Sequence, residues 1–250
     1  EDGISGDIAR IHSGQDELYD NSRIQLFKNV GQAELSDEIK IVAGVAWTFA
    51  NDKMESELDY LLIDEAGQVS LANMVGMSKC CKNIILMGDQ MQLSQPTQGV
   101  HPEDSGVSCL DYLLGEFSTV PADKGLLLPD TYRLNSDICN FISSRVYDGR
   151  LQSVDVANSR KIQISKANLE KESGICYLPV QHEGNEQSSA EEVEAIEELV
   201  VNLLKGKKTD EEGNESSMTP RDILIVSPYN HQIRLLQEAM GSSFEVGTVD

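Results

Sequence analysis

The chain has 250 residues, of which 40% are hydrophobic and 25% are charged, so it is long enough for one large or two modest α/β domains. No apolar run approaches the roughly 20 residues of a membrane-spanning helix, which predicts that the protein is not an integral membrane protein. The formal net charge of −22 argues, taken alone, against a nucleic-acid partner, because phosphate binders usually carry a basic surface.

The amino terminus, EDGISGDIAR, has neither the basic start nor the apolar stretch of a signal peptide, and it lacks an initiator Met. We therefore expect this chain to be part of a longer protein. The cysteines are odd in number and form no CxxC pair, which argues against a disulfide framework or a zinc site. The sequence predicts reduced thiols in a cytoplasmic protein.

Short apolar runs alternate with helical patterns, which is typical of an α/β fold with mostly parallel sheets flanked by helices. The pattern before residue 41 is too weak for a prediction. A crossover helix is predicted within residues 69–81, ending near Cys80 and Cys81. The strands predicted in the first half are Ile41–Ala46, Leu58–Ile63 and Asn83–Met87.

In the second half, a helix is predicted to start near Asn135 or Ser136 and to carry Ile138, Phe141 and Ile142 inward. The strongest helical pattern runs from about Ser189 to Lys205, with Ser188 or Ser189 as its cap and Gly206 after its end. The polar residues 207–219 are predicted to form a mobile loop. The predicted strands are Ile175–Val180, Ile223–Val226 and Phe244–Val249.

The negative charge is concentrated in residues 183–215, which hold eleven Asp and Glu residues against three Lys. This stretch is typical of a solvated helix face and loop. A cleft elsewhere in the molecule can still be positive.

An acidic pair follows the second predicted strand, in the run Asp64-Glu65-Ala66-Gly67-Gln68. A carboxylate at a strand end can hold Mg²⁺, usually through water, because that ion prefers oxygen ligands and dehydrates reluctantly. A neighbouring carboxylate can orient or deprotonate an attacking water. Alone, such a pair is a weak signal.

The next strand ends in Gly88-Asp89-Gln90-Met91-Gln92. Glycine allows the backbone to approach a ligand closely, and the Gln92 amide can contact a terminal phosphate. Glu65 and Asp89 are 24 residues apart, about one βα unit, so both loops are expected at one edge of the sheet, where ligands bind.

Together, DEAGQ and GDQMQLSQP resemble motifs II and III of superfamily 1 helicases, in the subclass that contains the nonsense-mediated-decay helicase. LLLPDTYRLNSDICNF resembles motif IV, ILIVSPYNHQ is similar to the family's "PY..Q" segment, and VGTVD resembles the start of motif V. The amino-acid sequence around these motifs is most similar to that of bacterial ATPases that carry a RecB-like nuclease domain. The resemblance implies two partial RecA-like domains, residues 1–128 and 129–250.

The resemblance also implies roles for single residues. Asp64 binds Mg²⁺, Glu65 is the general base, and Gln92 contacts the γ-phosphate of ATP. Arg133 is an arginine finger, a role that suits a planar, permanently charged guanidinium. The other residues of the implied nucleotide site are Gly88, Asp89, which supports the glutamine loop, and Gln68.

On the nucleic-acid side, the implied residues lie near strand ends, where hydroxyls and amides can grip phosphates without reading sequence. For each of them, a capping or core role is an equal alternative. Trp47 is a candidate for stacking on a base, although packing against the sheet is favoured from sequence alone. The four residues implied on this side are Thr48, Ser227, Tyr229 and Thr248.

No GxxxxGK[ST] motif occurs in the sequence, and residues 206–209 lack its glycine frame. The resemblance places that motif before residue 1. We therefore expect the full-length parent to hydrolyse ATP and move along single-stranded nucleic acid, DNA rather than RNA. The isolated chain is expected to bind nucleotide weakly and to show little or no turnover.

Two other functions are compatible with parts of the sequence. One is a catalytically inactive, helicase-like scaffold, whose acidic balance suits a basic protein partner. The other is an α/β hydrolase that uses Asp64 and Glu65 directly, but no nucleophile elbow or histidine partner supports it.

Overall fold

The computed structural model of this chain describes residues 6–11, 23–33, 35–93, 99, 102–103, 105–164 and 172–248. The chain divides into two compact units, Glu1–Gly125 and Leu126–Asp250. The described strands are β1 (Asp7–Ile11), β2 (Ile24–Phe27), β3 (Ile39–Ala43), β4 (Leu58–Ile63), β5 (Cys81–Leu86), β6 (Asp130–Thr131), β7 (Gln152–Ser153), β8 (Lys161–Gln163), β9 (Lys207–Thr209), β10 (Glu215–Ser217), β11 (Leu224–Val226) and β12 (Glu245–Gly247). The described α-helices are α1 (Ala46–Phe49), α2 (Leu71–Ser78), α3 (Cys109–Leu114), α4 (Ser136–Val146), α5 (Asp155–Asn158), α6 (Ala190–Leu203) and α7 (Asn230–Met240).

In the first unit, the part of the chain that the structure describes forms two parallel sheets. In one, β1 lies between β2 and β3, and in the other β4 pairs with β5. Helix α2 returns the chain between β4 and β5, as a parallel pair requires. Leu61 and Ile63 of β4 are buried in the core of this unit, together with Met54, Cys80 and Leu114. The α/β fold class and the strand Leu58–Ile63 are therefore confirmed.

The other two strands predicted in this unit have different bounds. Helix α2 already ends at Ser78, so Cys81 belongs to strand β5, which ends at Leu86. Strand β3 ends at Ala43, and Ala46 begins α1. The chain folds back at Gly44, where a Cβ would lie 2.7 Å from the hydroxyl of Thr48.

The described residues of the second unit form three small sheets. Strands β6 and β7 are parallel, β8, β9 and β10 form an antiparallel sheet, and β11 and β12 are parallel. The core of this unit is built around Val200 of α6, Ile225 of β11 and Leu236 of α7. Val193 and Ile196 pack against it at helical spacing, so these apolar positions lie on the inner face of α6.

Helices α6 and α7 are joined by a buried polar clasp. The hydroxyl of Ser189 caps α6 by accepting a hydrogen bond from the Glu192 N–H at 3.2 Å, as predicted. Gln232, which is 4% exposed, accepts from the Ser189 N–H at 2.7 Å and donates to the Ser189 carbonyl at 3.2 Å. One side chain thus satisfies both backbone groups of the cap residue.

The predicted strand Ile175–Val180 is wrong. Within the described part of the chain these residues join no sheet, and Tyr177 is 88% exposed. Pro179 has no N–H to donate to a strand ladder, so an apolar run is not sufficient here.

The polar residues 207–219, predicted as a mobile loop, contain the β9–β10 hairpin. The Asp210 carboxylate accepts backbone N–H bonds from Asn214 at 2.8 Å and from Glu212 at 3.0 Å, which closes the turn. The Asn214 bond lowers the pKa of Asp210. Lys208 binds Asp222, and this contact, with the hydroxyl and N–H of Thr219, lowers the pKa of Asp222 to about 2.

Helix α4 begins at Ser136 with Asn135 as its cap, as predicted. Its buried positions are Cys139 and Ser143, however, and Phe141 is 55% exposed because it points away from that face. Strand β12 ends at Gly247, and the predicted end at residue 249 lies outside the described residues.

The exposed face of α6 carries Glu194, Glu197 and Glu198, as the acidic stretch predicts. Among the described helices, none combines the length and the apolar character needed to cross a bilayer.

Candidate functional site

The acidic pair lies in a tight turn directly after β4. One oxygen of the Asp64 carboxylate accepts the Glu65 N–H at 3.0 Å, and the Glu65 carbonyl accepts the Gln68 N–H at 2.8 Å. Glu65 has a φ of 51°, in the left-handed region that non-glycine residues rarely adopt. The side chains of Asp64, Glu65 and Gln68 are exposed, so the turn presents them to solvent.

The glutamine loop follows β5 and is organised by Asp89. One oxygen of its carboxylate accepts the Met91 N–H at 2.9 Å, and the other accepts the Gln92 side-chain amide at 3.2 Å. Gln92 itself is exposed. Asp89 is therefore placed to set the position of the Gln92 amide.

The two loops interlock through their backbones. The Ala66 N–H donates to the Met87 carbonyl at 2.8 Å, which continues the β4–β5 ladder beyond both strands. A Cβ added to Gly67 would lie 2.3 Å from the Asp89 carbonyl oxygen, and one added to Gly88 would lie 2.7 Å from the Ala66 nitrogen. Only glycine fits at both positions, and the acidic pair and the glutamine loop share one sheet edge.

Two residues whose role the sequence does not predict, Cys109 and Gln90, make further hydrogen bonds that hold these two loops. The buried Cys109 thiol donates to the Ala66 carbonyl at 3.2 Å, and burial raises the pKa of that thiol. The Gln90 amide donates to the carbonyls of Phe117 and Ser118 at 3.0 and 2.9 Å. The partners in these contacts are 27 to 43 residues apart in the chain, so local patterns do not reveal them.

Among the described residues, no group of three or more His, Cys, Asp or Glu side chains could by itself hold a metal ion. The exposed carboxylate of Asp64 still fits Mg²⁺, because that ion keeps several waters and binds through one or two carboxylates plus substrate phosphates.

In the second unit, Arg133 lies in the bend 132–134 directly after β6. The Thr131 hydroxyl accepts the N–H groups of Arg133 and Leu134, each at 3.3 Å. The Ser153 hydroxyl donates to the Leu134 carbonyl at 2.6 Å. Arg133 is exposed, and its backbone is held on a defined path.

Three of the residues predicted to contact nucleic acid share the carboxyl edge of the β11–β12 pair. The Ser227 N–H donates to the Gly247 carbonyl at 3.1 Å, next to Thr248, and Tyr229 caps α7. Tyr229 and Thr248 are exposed, whereas Ser227 is buried. The Ser227 hydroxyl accepts the Tyr229 N–H at 3.3 Å, in the turn that leads into α7.

Helix α1 buries Thr48 and exposes Trp47. Thr48 is 5% exposed, because its side chain packs on Gly44 inside the turn, so its hydroxyl is not presented to a ligand. Trp47 is 83% exposed and does not pack against the sheet. Trp47 therefore lies at the surface of this turn, as does Val45, which is 61% exposed.

Two family models match the chain, and both describe an AAA domain. The first covers residues 110–250, more than half of the chain, and the second covers residues 10–97. Together they contain all the motif residues described above.

The chain is also similar to long, curated proteins. It is 27% identical over 203 residues to the DNA replication ATP-dependent helicase/nuclease DNA2 of Gallus gallus, covering 79% of this chain and 18% of that protein. It is 28% identical over 195 residues to the 3'-5' exoribonuclease HELZ2 of Mus musculus, covering 72% and 6%. It is 25% identical over an alignment of 289 residues to the DNA polymerase alpha-associated DNA helicase A of Schizosaccharomyces pombe, covering 99% and 40%. The chain thus spans well under half the length of these relatives.

Proposed function

Since the chain belongs to the AAA domain family and is a fragment of a superfamily 1 helicase, we propose that the whole protein couples ATP hydrolysis to movement on nucleic acid. The observation that carries this proposal is the interlock of the acidic turn and the glutamine loop at one sheet edge. That edge brings a metal ligand, a base and a phosphate-contacting amide within reach of one bound triphosphate.

In this proposal, ATP is the substrate and Asp64 holds its Mg²⁺ ion, with Gly88 and Gln68 lining the site. When bound, Mg²⁺ neutralises charge on the phosphates. The Glu65 carboxylate accepts a proton from the attacking water and orients it. Both carboxylates are solvent-exposed in the described chain, which suits groups that meet a ligand.

Gln92 contacts the γ-phosphate through its amide, and Asp89 holds that amide by accepting one of its N–H bonds. Once the phosphate leaves, the Gln92 contact is lost, so the loop can report whether ATP or ADP is bound. Arg133 stabilises the charge that develops on the transferring phosphoryl group, because its guanidinium is always charged and matches phosphate oxygens.

The proposed nucleic-acid partner is single-stranded DNA. DNA is favoured over RNA because the names of two of the three relatives refer to DNA. A nuclease domain elsewhere in the parent chain is proposed because the Gallus gallus relative is named a helicase/nuclease. The exposed Tyr229 and Thr248 offer a hydroxyl each to the phosphate backbone, and Trp47 offers a stacking surface. The inactive-scaffold alternative is not favoured, because the relatives are helicases or nucleases.

The decisive test is the ATPase rate of the full-length parent, with and without single-stranded DNA, in the wild type and in Glu65→Gln. We expect the DNA-stimulated kcat to fall about 10²- to 10⁴-fold, because the substitution keeps the shape and removes the base. Glu57→Gln, an exposed position at the opposite end of β4, is the matched control and should retain full activity. An unchanged rate in Glu65→Gln would overturn the assignment.

The nucleic-acid side is tested on the 250-residue chain, because Trp47 is its only tryptophan. Stacking on a base should quench Trp47 fluorescence on titration with an oligothymidylate. Trp47→Ala should weaken binding of a labelled oligonucleotide by about 1–3 kcal/mol. Tyr112→Ala, which removes another exposed aromatic ring from α3, should leave binding unchanged. Equal binding by Trp47→Ala and the wild type would contradict the stacking role.

A further inference from the structure

We infer that Arg160 is a positioning residue for the Arg133 loop and that Glu211 anchors it; this inference rests on the proposed role of Arg133. The Arg160 Nη1 atom donates to the Tyr132 carbonyl at 3.2 Å and to the Arg133 carbonyl at 3.3 Å. Its Nη2 atom binds the Glu211 carboxylate. One guanidinium therefore joins the loop that carries the finger to a segment 51 residues beyond Arg160.

These contacts complete the support of the loop. Thr131 holds the N–H groups of residues 133 and 134 from one side, and Ser153 holds the Leu134 carbonyl. Arg160 donates to the carbonyls of the two residues before Leu134, Tyr132 and Arg133. A guanidinium presents five donors in a rigid plane and can serve two carbonyls and a carboxylate together, which the compact ammonium of a lysine cannot do in the same geometry.

Strand register explains why Glu211 lies beside Arg160. Strands β8 and β9 are antiparallel with Lys161 opposite Thr209, so the residues just outside the ladder are Arg160 and Asp210. The turn is closed on Asp210, which accepts the N–H groups of Glu212 and Asn214. The hairpin thus delivers Glu211 to the guanidinium, and its turn has a function that its polar sequence does not suggest.

The exposure of the Arg160–Glu211 ion pair favours a role in positioning the Arg133 loop over a role in stabilising the fold. The side chains of Arg160 and Glu211 are 41% and 47% exposed, and exposed ion pairs contribute little to stability and are screened by salt. A displacement of about 1 Å at a catalytic group, in contrast, can cost about 100-fold in rate. We call the contacts of Arg160 with the Tyr132 and Arg133 carbonyls and with Glu211 the Arg160 clamp. Loss of this clamp is therefore expected to affect catalysis far more than folding.

The test compares Arg160→Lys, Glu211→Gln and Arg133→Ala in the full-length parent, by steady-state ATPase kinetics with single-stranded DNA. We expect Arg160→Lys to lower kcat about 10- to 100-fold with a KM for ATP within about twofold of the wild type. Glu211→Gln should lower kcat less, since Arg160 keeps both carbonyls. Arg145→Lys, at an exposed position of α4, is the matched control and should behave as the wild type.

The double variant Arg133→Ala/Arg160→Lys separates positioning from a merely structural effect. If Arg160 acts through Arg133, the double variant should be no slower than Arg133→Ala alone. A further, multiplicative loss in the double variant would overturn the inference, as would an unchanged kcat in Arg160→Lys when Arg133→Ala is slow. If Arg133→Ala keeps the wild-type rate, the proposed role of Arg133 fails first. If Arg160→Lys does not fold, Glu211→Gln decides, and a wild-type kcat there would count against the clamp.

Discussion

The acidic turn of the first unit and the Arg133 loop of the second are both exposed loops at strand ends, but they are held in different ways. The acidic turn is joined to the glutamine loop by backbone contacts, with Gly67 packed on the Asp89 carbonyl and the Ala66 N–H in the strand ladder. The Arg133 loop is fixed by side chains, those of Thr131, Ser153 and Arg160.

The two loops should therefore respond to different changes: the acidic turn to added side-chain volume, and the Arg133 loop to ionic conditions. Backbone contacts allow no room for a side chain, yet they do not depend on charge, pH or salt. Side-chain contacts tolerate small shifts, and those made by charged groups respond to ionic strength. The acidic turn is thus the more rigidly packed of the two loops, and the Arg133 loop is the more adjustable one.

The largest expected effect comes from breaking the backbone contact of the first unit with Gly67→Ala. The new Cβ would lie 2.3 Å from a carbonyl oxygen that cannot rotate away, so the two loops must separate. We expect a loss of about 3 kcal/mol, the upper range for overpacking, read as faster hydrogen exchange of the β4 and β5 amides.

The matched control for that change is Gly76→Ala in the middle of α2. Its Cβ would lie 3.9 Å from that of Ala50, an ordinary contact, and alanine is the better helix former. Protection of the same amides should be unchanged or increase by about 0.5 kcal/mol. Equal effects at positions 67 and 76 would show that the loops are not interlocked.

A smaller effect is expected in the second unit from Gln232→Ala. The substitution leaves the buried Ser189 N–H without its acceptor and removes one of the two donors to the Ser189 carbonyl, which keeps the Val193 N–H. This should cost about 2 kcal/mol in the exchange protection of α6 and α7. Gln237→Ala on the same helix removes one exposed bond, to the Val246 carbonyl, and should cost less than about 1 kcal/mol. A loss at position 232 no larger than at 237 would contradict the clasp.

The smallest effect is a pH dependence of the hairpin. Contacts with Lys208 and Thr219 lower the pKa of Asp222 to about 2, below its value of about 4 in an unfolded chain. A lowered pKa contributes stability that is present above pH 4 and is lost as the pH falls towards 2. Protection of the β9 and β10 amides should therefore decrease over that range.

Asp222→Asn should flatten this pH dependence, whereas Glu238→Gln, the same change of charge on the exposed side of α7, should not. The β4 and β5 amides, held through backbone contacts, should change less over the same pH range. A parallel decrease in both units would remove the contrast between them.

The sequence predicts those parts of the molecule that have a strong local signal. Strand β4 is a short apolar run between polar residues, and α6 combines a serine cap with helical spacing, so both were predicted well. The shared edge of the acidic turn and the glutamine loop also follows from sequence, because a parallel pair joined by one helix ends at one edge.

The remaining features depend on partners that are distant in the chain. The run at 175–180 is apolar but finds no neighbouring strand among the described residues, whereas the polar β9 pairs with β8. The clamp at Arg160 needs two other segments, residues 132–133 and residue 211. The exposure of Trp47 follows from the fold-back at Gly44, which buries Thr48 in its place.

The left-handed backbone of Glu65 has a consequence for how this site can vary. A glycine at that position would relieve about 1–2 kcal/mol of steric cost, and asparagine would tolerate it better than glutamate does. Both replacements would remove the carboxylate proposed to activate water. Backbone stability and the proposed activation of water therefore favour different side chains at this single residue.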